Sequence, residues 1–542
     1  MTCLDGLLVE ARTSLIHMSK FLRRAILLAI ASLSLANLLA LQLWMVLFRT
    51  GNPIQATGAK MVGAVLAVLI IACVLWLMAW MLELFGHRRS SVHWKAIGLA
   101  IVWGIIVWGG LKPSLLQFLQ HAMGVAMPFV LGFSFAGFLL ILIVIWRYPN
   151  QSARGMTLGA LILAPFVGVT FFNALHHASQ RGLYEGALHD ITASALPEGV
   201  NHKRTVVLLF DEFDYELAFE SAAKPKALPV LNELIEHSLF ATHAYPPMHS
   251  TMMSLPAMLT GKLVQNAESR DQHPGDLILQ HENDERVVFS EQNTVFSDLR
   301  QAGYRSLRMN DALLPSQRLP GIADADVVLP VPATPVTSIV DCAKEQLADL
   351  TALIPFAKSV ALDTKVAQLL GLPHPFQHVS NVADRLVELA ADGDADLLFL
   401  HILLPHLPVV FDPVTKQFGP SLSADYRENL GAVDLTVGRV IKALEANKRL
   451  ADTNILVISD HFFRQKRSIY GLGDHRVPFI ARFGRDGAPE GKFEKPFNTI
   501  LLRPMIMEIV QGRIKDSKSL AAWIAQNSSF GESPLLEYRK GW

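Results

Sequence analysis

Several short segments of this 542-residue chain place oxygen and nitrogen donors where a fold could gather them. Asp211 and Glu212 close the apolar run Val206–Phe210. Adjacent carboxylates at a strand end suit a hard or borderline divalent cation. Asp460 and His461 follow the run Asn454–Ser459, and both side chains of such a pair can bind one ion. Thr251 lies in His249-Ser250-Thr251-Met252-Met253-Ser254-Leu255-Pro256, which reads as the start of a helix. A hydroxyl there has two readings. It is the N-cap, the commoner use. Or it is a nucleophile, at a helix end whose N–H groups and dipole favour an alkoxide and a bound anionic ester.

His401 and His406 flank a short apolar stretch ending in Pro405, and His475 precedes Arg476-Val477-Pro478. Among 19 histidines a single one is more often structural than a ligand. The order of the segments carries the signal: carboxylates, hydroxyls, histidines, Asp-His, a final histidine.

These residues need strands and helices to hold them. Thr205–Phe210, Asp396–His401, Asn454–Ser459 and Val477–Phe483 are continuous apolar runs, as buried parallel strands tend to be. Helical patterns lie between them. In Tyr426–Asn447, apolar Leu430, Val433, Val437, Val440, Ile441 and Leu444 trace one face. Alternating strands and helices predict an α/β sandwich with a mostly parallel central sheet, its ligands beyond the carboxyl ends of the strands. Residues 264–294 are polar and read as a surface loop.

In the order of these motifs, residues 204–483 resemble the alkaline phosphatase superfamily in its sulfatase-like branch. The resemblance implies metal ligation by Asp211, Glu212, Asp460 and His461. Thr251 falls on the nucleophile, with Ser254 on the same helix. His406 falls on the histidine that contacts the transferred group, and His475-Arg476 lies near a further ligand. Arylsulfatases carry Cys-x-Pro-Ser-Arg at the nucleophile, and this chain has Thr251-Met252-Met253-Ser254-Leu255. A threonine there, after membrane spans, is similar to envelope phosphoethanolamine transferases and lipoteichoic acid synthases. Those families pass a phospho-headgroup through the threonine to an acceptor. The chain departs from them in reading Asp460-His461-Phe462 where Asp-His-Gly is usual, and Arg476 where a His precedes Val-Pro.

The expected chemistry uses a divalent metal, zinc first and manganese or calcium as alternatives. Asp211, Asp460 and His461 would hold it and Thr251 would complete it. Glu212, His401 and His475 are second-rank candidates; His406, Arg476 and Ser254 are the expected partners of the transferred group, with His401 beside His406 in the catalytic set. The alternatives are a sulfuric ester hydrolase, or an inactive membrane scaffold that keeps the fold.

The rest of the chain says where this happens. Net charge is zero, with 48 basic and 48 acidic residues, so a globally basic nucleic-acid binder is disfavoured. Hydrophobic residues reach 51% and mean hydropathy is +0.31. Three cysteines exclude a disulfide scaffold. Residues 25–175 hold one acid, Glu83, against eight bases, while residues 176–542 are acidic overall. Five apolar runs, 25–48, 61–82, 96–111, 124–146 and 156–175, predict a five-span block; a span takes roughly 20 residues.

The predicted organisation is a cytoplasmic tail (1–24), the block (25–175), a connector (176–200) and the catalytic domain (201–542). Nine bases on the tail side against three on the other put the N-terminus in the cytoplasm. An odd number of spans then puts the catalytic domain on the periplasmic or extracellular face of a bacterial inner membrane. Lipid bilayer and a lipid-linked or envelope glycan substrate are the expected partners.

Overall fold

The computed structural model describes residues 22–48, 58–84, 98, 140–180, 203–220, 228–269, 277–282, 284–289, 292–311, 323–329, 338–351, 362–372, 375–392, 394–419, 425–484 and 491–534. They fall into two compact units. One combines the N-terminal helices with residues 334–372, and the other holds the remaining globular chain.

In the helical unit, the run 25–48 forms helices Leu22–Leu39 and Leu41–Leu47. The run 61–82 forms Gly58–Leu84. The run 156–175 falls on Pro149–Ile162 and Ala164–Gln180, a pair bent by 42°. Among the described residues, two helices are long and apolar enough to cross a membrane, or three if the bent pair is one span. The run 96–111, residue 98 apart, and most of 124–146 lie outside the described residues.

The helix directions are legible from a few bonds. Trp76 Nε1 donates to Ala25 O at 3.1 Å, so Gly58–Leu84 runs back along the first helix. Asn37 Oδ1 accepts from Trp44 Nε1 at 2.9 Å and from Thr170 Oγ1 at 3.0 Å. The rings of Phe48 and His177 lie 5.9 Å apart. Residues 22–48 and 164–180 therefore run in the same direction, and 58–84 runs against both.

Helix Ile339–Thr351, whose sequence lies inside the globular half, also packs here. It crosses Gly58–Leu84 at Gly63, where a Cβ would sit 2.4 Å from that of Cys342. Only glycine permits so close an approach.

The globular unit is built on nine strands: β1 (Arg204–Asp211), β2 (Leu239–Tyr245), β3 (Ser306–Asp311), β4 (Ala325–Leu329), β5 (Leu397–Pro405), β6 (Thr453–Ser459), β7 (Val477–Arg482), β8 (Gly491–Phe493) and β9 (Phe497–Asn498). Their order is β8-β2-β7-β6-β1-β5-β3-β4, with β9 also on β2. The block β6-β1-β5-β3-β4 is parallel throughout. Strand β7 is antiparallel to both β6 and β2, so the sheet is mixed but mostly parallel.

Both faces are covered, which is why the central strands read as unbroken apolar runs. Val207, Leu209, Phe399 and Ile458 face a core shared with helices Thr251–Thr260 and Leu502–Val510. Val206, Leu208, Phe210, Leu400 and Val457 face a core shared with Pro375–Asp392 and Tyr426–Ala446. The polar stretch 264–294, expected as a loop, instead forms a small antiparallel sheet of Val264–Ser269, Leu277–His281 and Arg286–Val288. Its middle strand alternates buried Leu277, Leu279 and His281 with half-buried Ile278 and Gln280, so one face is covered despite the polar composition.

Candidate active site

Three adjacent parallel strands end together. Strand β1 delivers Asp211, β6 runs into Asp460 and His461, and β5 runs through His401 towards His406. The ligand-capable atoms of Asp211, Asp460 and His461 lie within 4.8 Å of one another, and all three residues are buried. His461 Nε2 is 3.5 Å from Asp211 Oδ1 and 3.5 Å from Asp460 Oδ2.

Thr251 opens helix Thr251–Thr260, and its hydroxyl does not cap that helix. The N-cap is Ser250, in extended conformation. Thr251 Oγ1 instead lies 3.2 Å from His461 Nε2 and 3.4 Å from Asp211 Oδ1. Gly261 ends the helix in the left-handed region at φ 70°, which a side chain would strain.

Each group is held from behind. Asp460 Oδ1 accepts the backbone N–H of His461 at 2.7 Å and of Glu212 at 3.2 Å. His461 Nδ1 donates to Phe462 O at 2.9 Å, which leaves Nε2 facing the cluster with its lone pair. Burial pushes the imidazole down to about 4, so the ring is neutral near pH 7. Burial, then Asp460 and Glu212, raise Asp211 well above the usual carboxylate range. Burial likewise raises Asp460.

These residues fit a divalent cation. Two carboxylates, a neutral imidazole nitrogen and a hydroxyl point lone pairs at one another. The hydroxyl proton satisfies one contact at most. Asp460 Oδ2 is buried and makes no hydrogen bond of ordinary geometry. A buried, uncompensated set of this kind is costly without a cation, and oxygen and imidazole donors are those that zinc or manganese accept.

The other residues singled out from sequence are placed differently. Glu212 sits at φ 61°, left-handed for a non-glycine residue, and its carboxylate turns to Arg464 Nε at 2.8 Å and His406 Nε2 at 3.9 Å. Ser254 donates to the backbone carbonyl of Asp460 at 2.6 Å. His401 is fully buried on β5, and burial pushes it down to about 4. His406 is the more open histidine, 39% exposed, with Nδ1 2.6 Å from Leu407 O.

His475 is not brought to the trio. It pairs with Glu532 at 2.5 Å and stacks on Phe462 at 4.5 Å. Arg476 is bound to Asp474 and Glu220 and lies over the Tyr215 ring, 4.5 Å from its centroid. Two residues went unnoticed in the sequence. Ser459 ties the strand ends, accepting from Phe213 N at 2.9 Å and lying 2.8 Å from His461 O. Arg464 brings a cation to Glu212, three residues after His461. Only its closeness in sequence to the Asp-His pair could have flagged it.

Residues 205–472 match the family model described as type I phosphodiesterase / nucleotide pyrophosphatase. This part of the chain belongs to the alkaline phosphatase superfamily and is an enzyme, a hydrolase or transferase of that superfamily. No curated protein matches significantly by sequence.

Among solved structures, the chain is similar to a phosphonate monoester hydrolase of Agrobacterium radiobacter, at 13% identity, covering 57% of this chain and 74% of that one with a TM-score of 0.39. It is similar to the PsFucS1 sulfatase from Pseudoalteromonas sp., at 16%, 62%, 71% and 0.39 in the same order. It is also similar to the lipoteichoic acid synthase LtaP from Listeria monocytogenes, at 13%, 57%, 72% and 0.35.

Proposed function

We propose that the chain is a membrane-anchored, metal-dependent phospho-group transferase or phosphoester hydrolase with Thr251 as nucleophile. The observation that carries this reading is the Thr251 hydroxyl, 3.2 Å from His461 Nε2 and 3.4 Å from Asp211, rather than folded back onto its own helix.

Asp211, Asp460 and His461 would hold the metal, with Thr251 completing the set. When bound, a divalent cation lowers the pKa of a hydroxyl and draws charge from the phosphoryl oxygens. The protein's own part is to fix a poor nucleophile in line with phosphorus. Thr251 gives its hydroxyl proton to solvent, and attack by Oγ1 forms the Oγ–P bond as the bond to the leaving oxygen breaks. The leaving oxygen keeps the electron pair and takes a proton from His406, the more open histidine, or from water. In the second displacement, water or an acceptor hydroxyl attacks phosphorus and gives its proton to His406 or solvent; the Oγ–P bond breaks with its electron pair on Thr251, which takes a proton from solvent.

The helix directions support a membrane topology. If 22–48 and 164–180 each cross, their common direction puts the residues before the first and after the last on opposite sides of the bilayer. The tail and the globular part lie on opposite sides, and the basic tail side is cytoplasmic. The globular part then faces the periplasm or cell exterior, where a lipid-linked or envelope glycan substrate would meet it.

The test is intact-protein mass spectrometry after a brief incubation with a phosphodiester substrate. A covalent phospho-adduct on Thr251 is expected. A turning-over enzyme whose Thr251→Asn variant keeps near wild-type rate would remove Thr251 from the chemistry, because asparagine has no hydroxyl and the N-cap, Ser250, is untouched.

A further inference from the structure

A cation stands beside this cluster without a task in the mechanism above. Arg464 follows the Asp460-His461 pair, and its Nε donates to Glu212 Oε1 at 2.8 Å. A guanidinium has five N–H donors in a planar fork. This contact uses one, and the donors on the two terminal nitrogens meet no acceptor among the described residues. The side chain is 47% exposed, so those donors reach solvent. The other oxygen of that carboxylate, Glu212 Oε2, lies 3.9 Å from His406 Nε2, so the guanidinium and the open histidine flank one carboxylate next in sequence to Asp211.

Its partner is held rigidly. The Glu212 carbonyl accepts Tyr426 OH at 2.5 Å and its N–H donates to Asp460 Oδ1 at 3.2 Å. The left-handed turn at Glu212 sends its carboxylate to Arg464 while the neighbouring Asp211 enters the trio. Glu212 is thus occupied by a fixed guanidinium, and His475, the other residue considered for a second ion, is paired with Glu532.

We propose that Arg464 is the receptor for the non-bridging oxygens of the transferred group and stands where a second metal ion would otherwise be needed. Resting on the reading of Asp211, Asp460 and His461 as a metal site, this makes the enzyme a one-metal enzyme with an organic second cation. A guanidinium fork matches two oxygens of a tetrahedral phosphoryl group, and developing charge there needs a fixed positive partner. Glu212 keeps the fork aimed. Its role is positioning, and it does not touch the substrate.

The experiment measures binding of inorganic phosphate by calorimetry to the detergent-solubilised full chain, zinc-loaded and metal-free, with zinc content counted per chain. Wild type is expected to hold one zinc and to bind phosphate only when loaded. Arg464→Gln is expected to keep that zinc, with a lower melting temperature because buried Glu212 loses its cation, and to weaken phosphate at least tenfold, with Arg464→Lys in between. Phosphate affinity of Arg464→Gln within twofold of wild type, or two zinc ions per wild-type chain, overturns the proposal and leaves the trio intact. Phosphate binding that is indifferent to zinc, in wild type and Asp460→Ala alike, overturns the metal reading itself and the proposal with it.

Discussion

The hydroxyl of Ser254 donates to the backbone carbonyl of Asp460 at 2.6 Å, joining the helix that carries Thr251 to the strand end that carries two of the three converging donors. One turn of helix separates Thr251 from Ser254. The bond therefore sets the height of Thr251 against Asp460 and His461. Ser254→Ala leaves a buried carbonyl without its donor, a cost of about 1–3 kcal/mol. A lower melting temperature and weaker metal binding are expected. Unchanged metal affinity would show that the helix is positioned by packing alone.

Asp460 and His475 should behave oppositely. Asp460→Ala removes a converging carboxylate, and stoichiometric metal should be lost on gel filtration. His475→Ala breaks a contact with Glu532 and a stack on Phe462, away from the trio. It should retain its metal and most turnover. Metal analysis of the two proteins side by side decides this, and loss of metal from both would return His475 to the ligand set.

Acid should weaken the fold through its buried histidines. His401 and His461 are pushed down to about 4 by burial, from an ordinary value of 6.5. Between pH 6.5 and 4 the unfolded chain binds protons that the native protein refuses. Stability therefore falls as pH falls through that window, by up to about 1.4 kcal/mol per pH unit for each histidine. With chelator present, the melting temperature should drop from pH 7 to 5. The drop should be smaller in His401→Gln, which keeps only the share of His461. An identical pH profile in that variant would mean His401 is already charged in the native state.

Lys466 and Asp214 form a buried ion pair at 2.8 Å, with side chains 2% and 0% exposed. Removing one partner of such a pair costs about 3–5 kcal/mol, because the other charge is left buried alone. Lys466→Met should markedly lower the thermal midpoint, and Lys466→Met with Asp214→Leu should recover much of it. A single variant as stable as wild type would mean that Asp214 is carried by its backbone donors, Leu217 and Phe463.

Much of the sheet was legible because β1, β5 and β6 are covered on both faces and so read as apolar runs with polar residues at their ends. That pattern also delivered Asp211, Asp460 and His461, since strand ends are where such a fold gathers donors. The hydroxyl of Thr251 was visible as a type of residue but not as a direction. Only the tertiary contact with His461 separates it from a cap. Arg464 has no periodic or motif signal, and its pairing with Glu212 joins positions 252 residues apart. The excursion of residues 334–372 was hidden for the opposite reason. An amphipathic stretch such as Ile339–Thr351 looks the same whether it covers a sheet or another helix.

That excursion changes how the protein can be cut apart. The chain passes from the helical unit to the globular one near residue 185, returns near 333, and leaves again near 372. A single protease cut before β1 would part the chain covalently, yet the C-terminal piece would keep residues 334–372 and with them its packing on helix Gly58–Leu84. The nicked enzyme would stay on the helices through that contact alone, and pulling it off would expose the buried Cys342 and Ala343. Release that leaves this contact intact takes two further cuts, one at each end of the excursion.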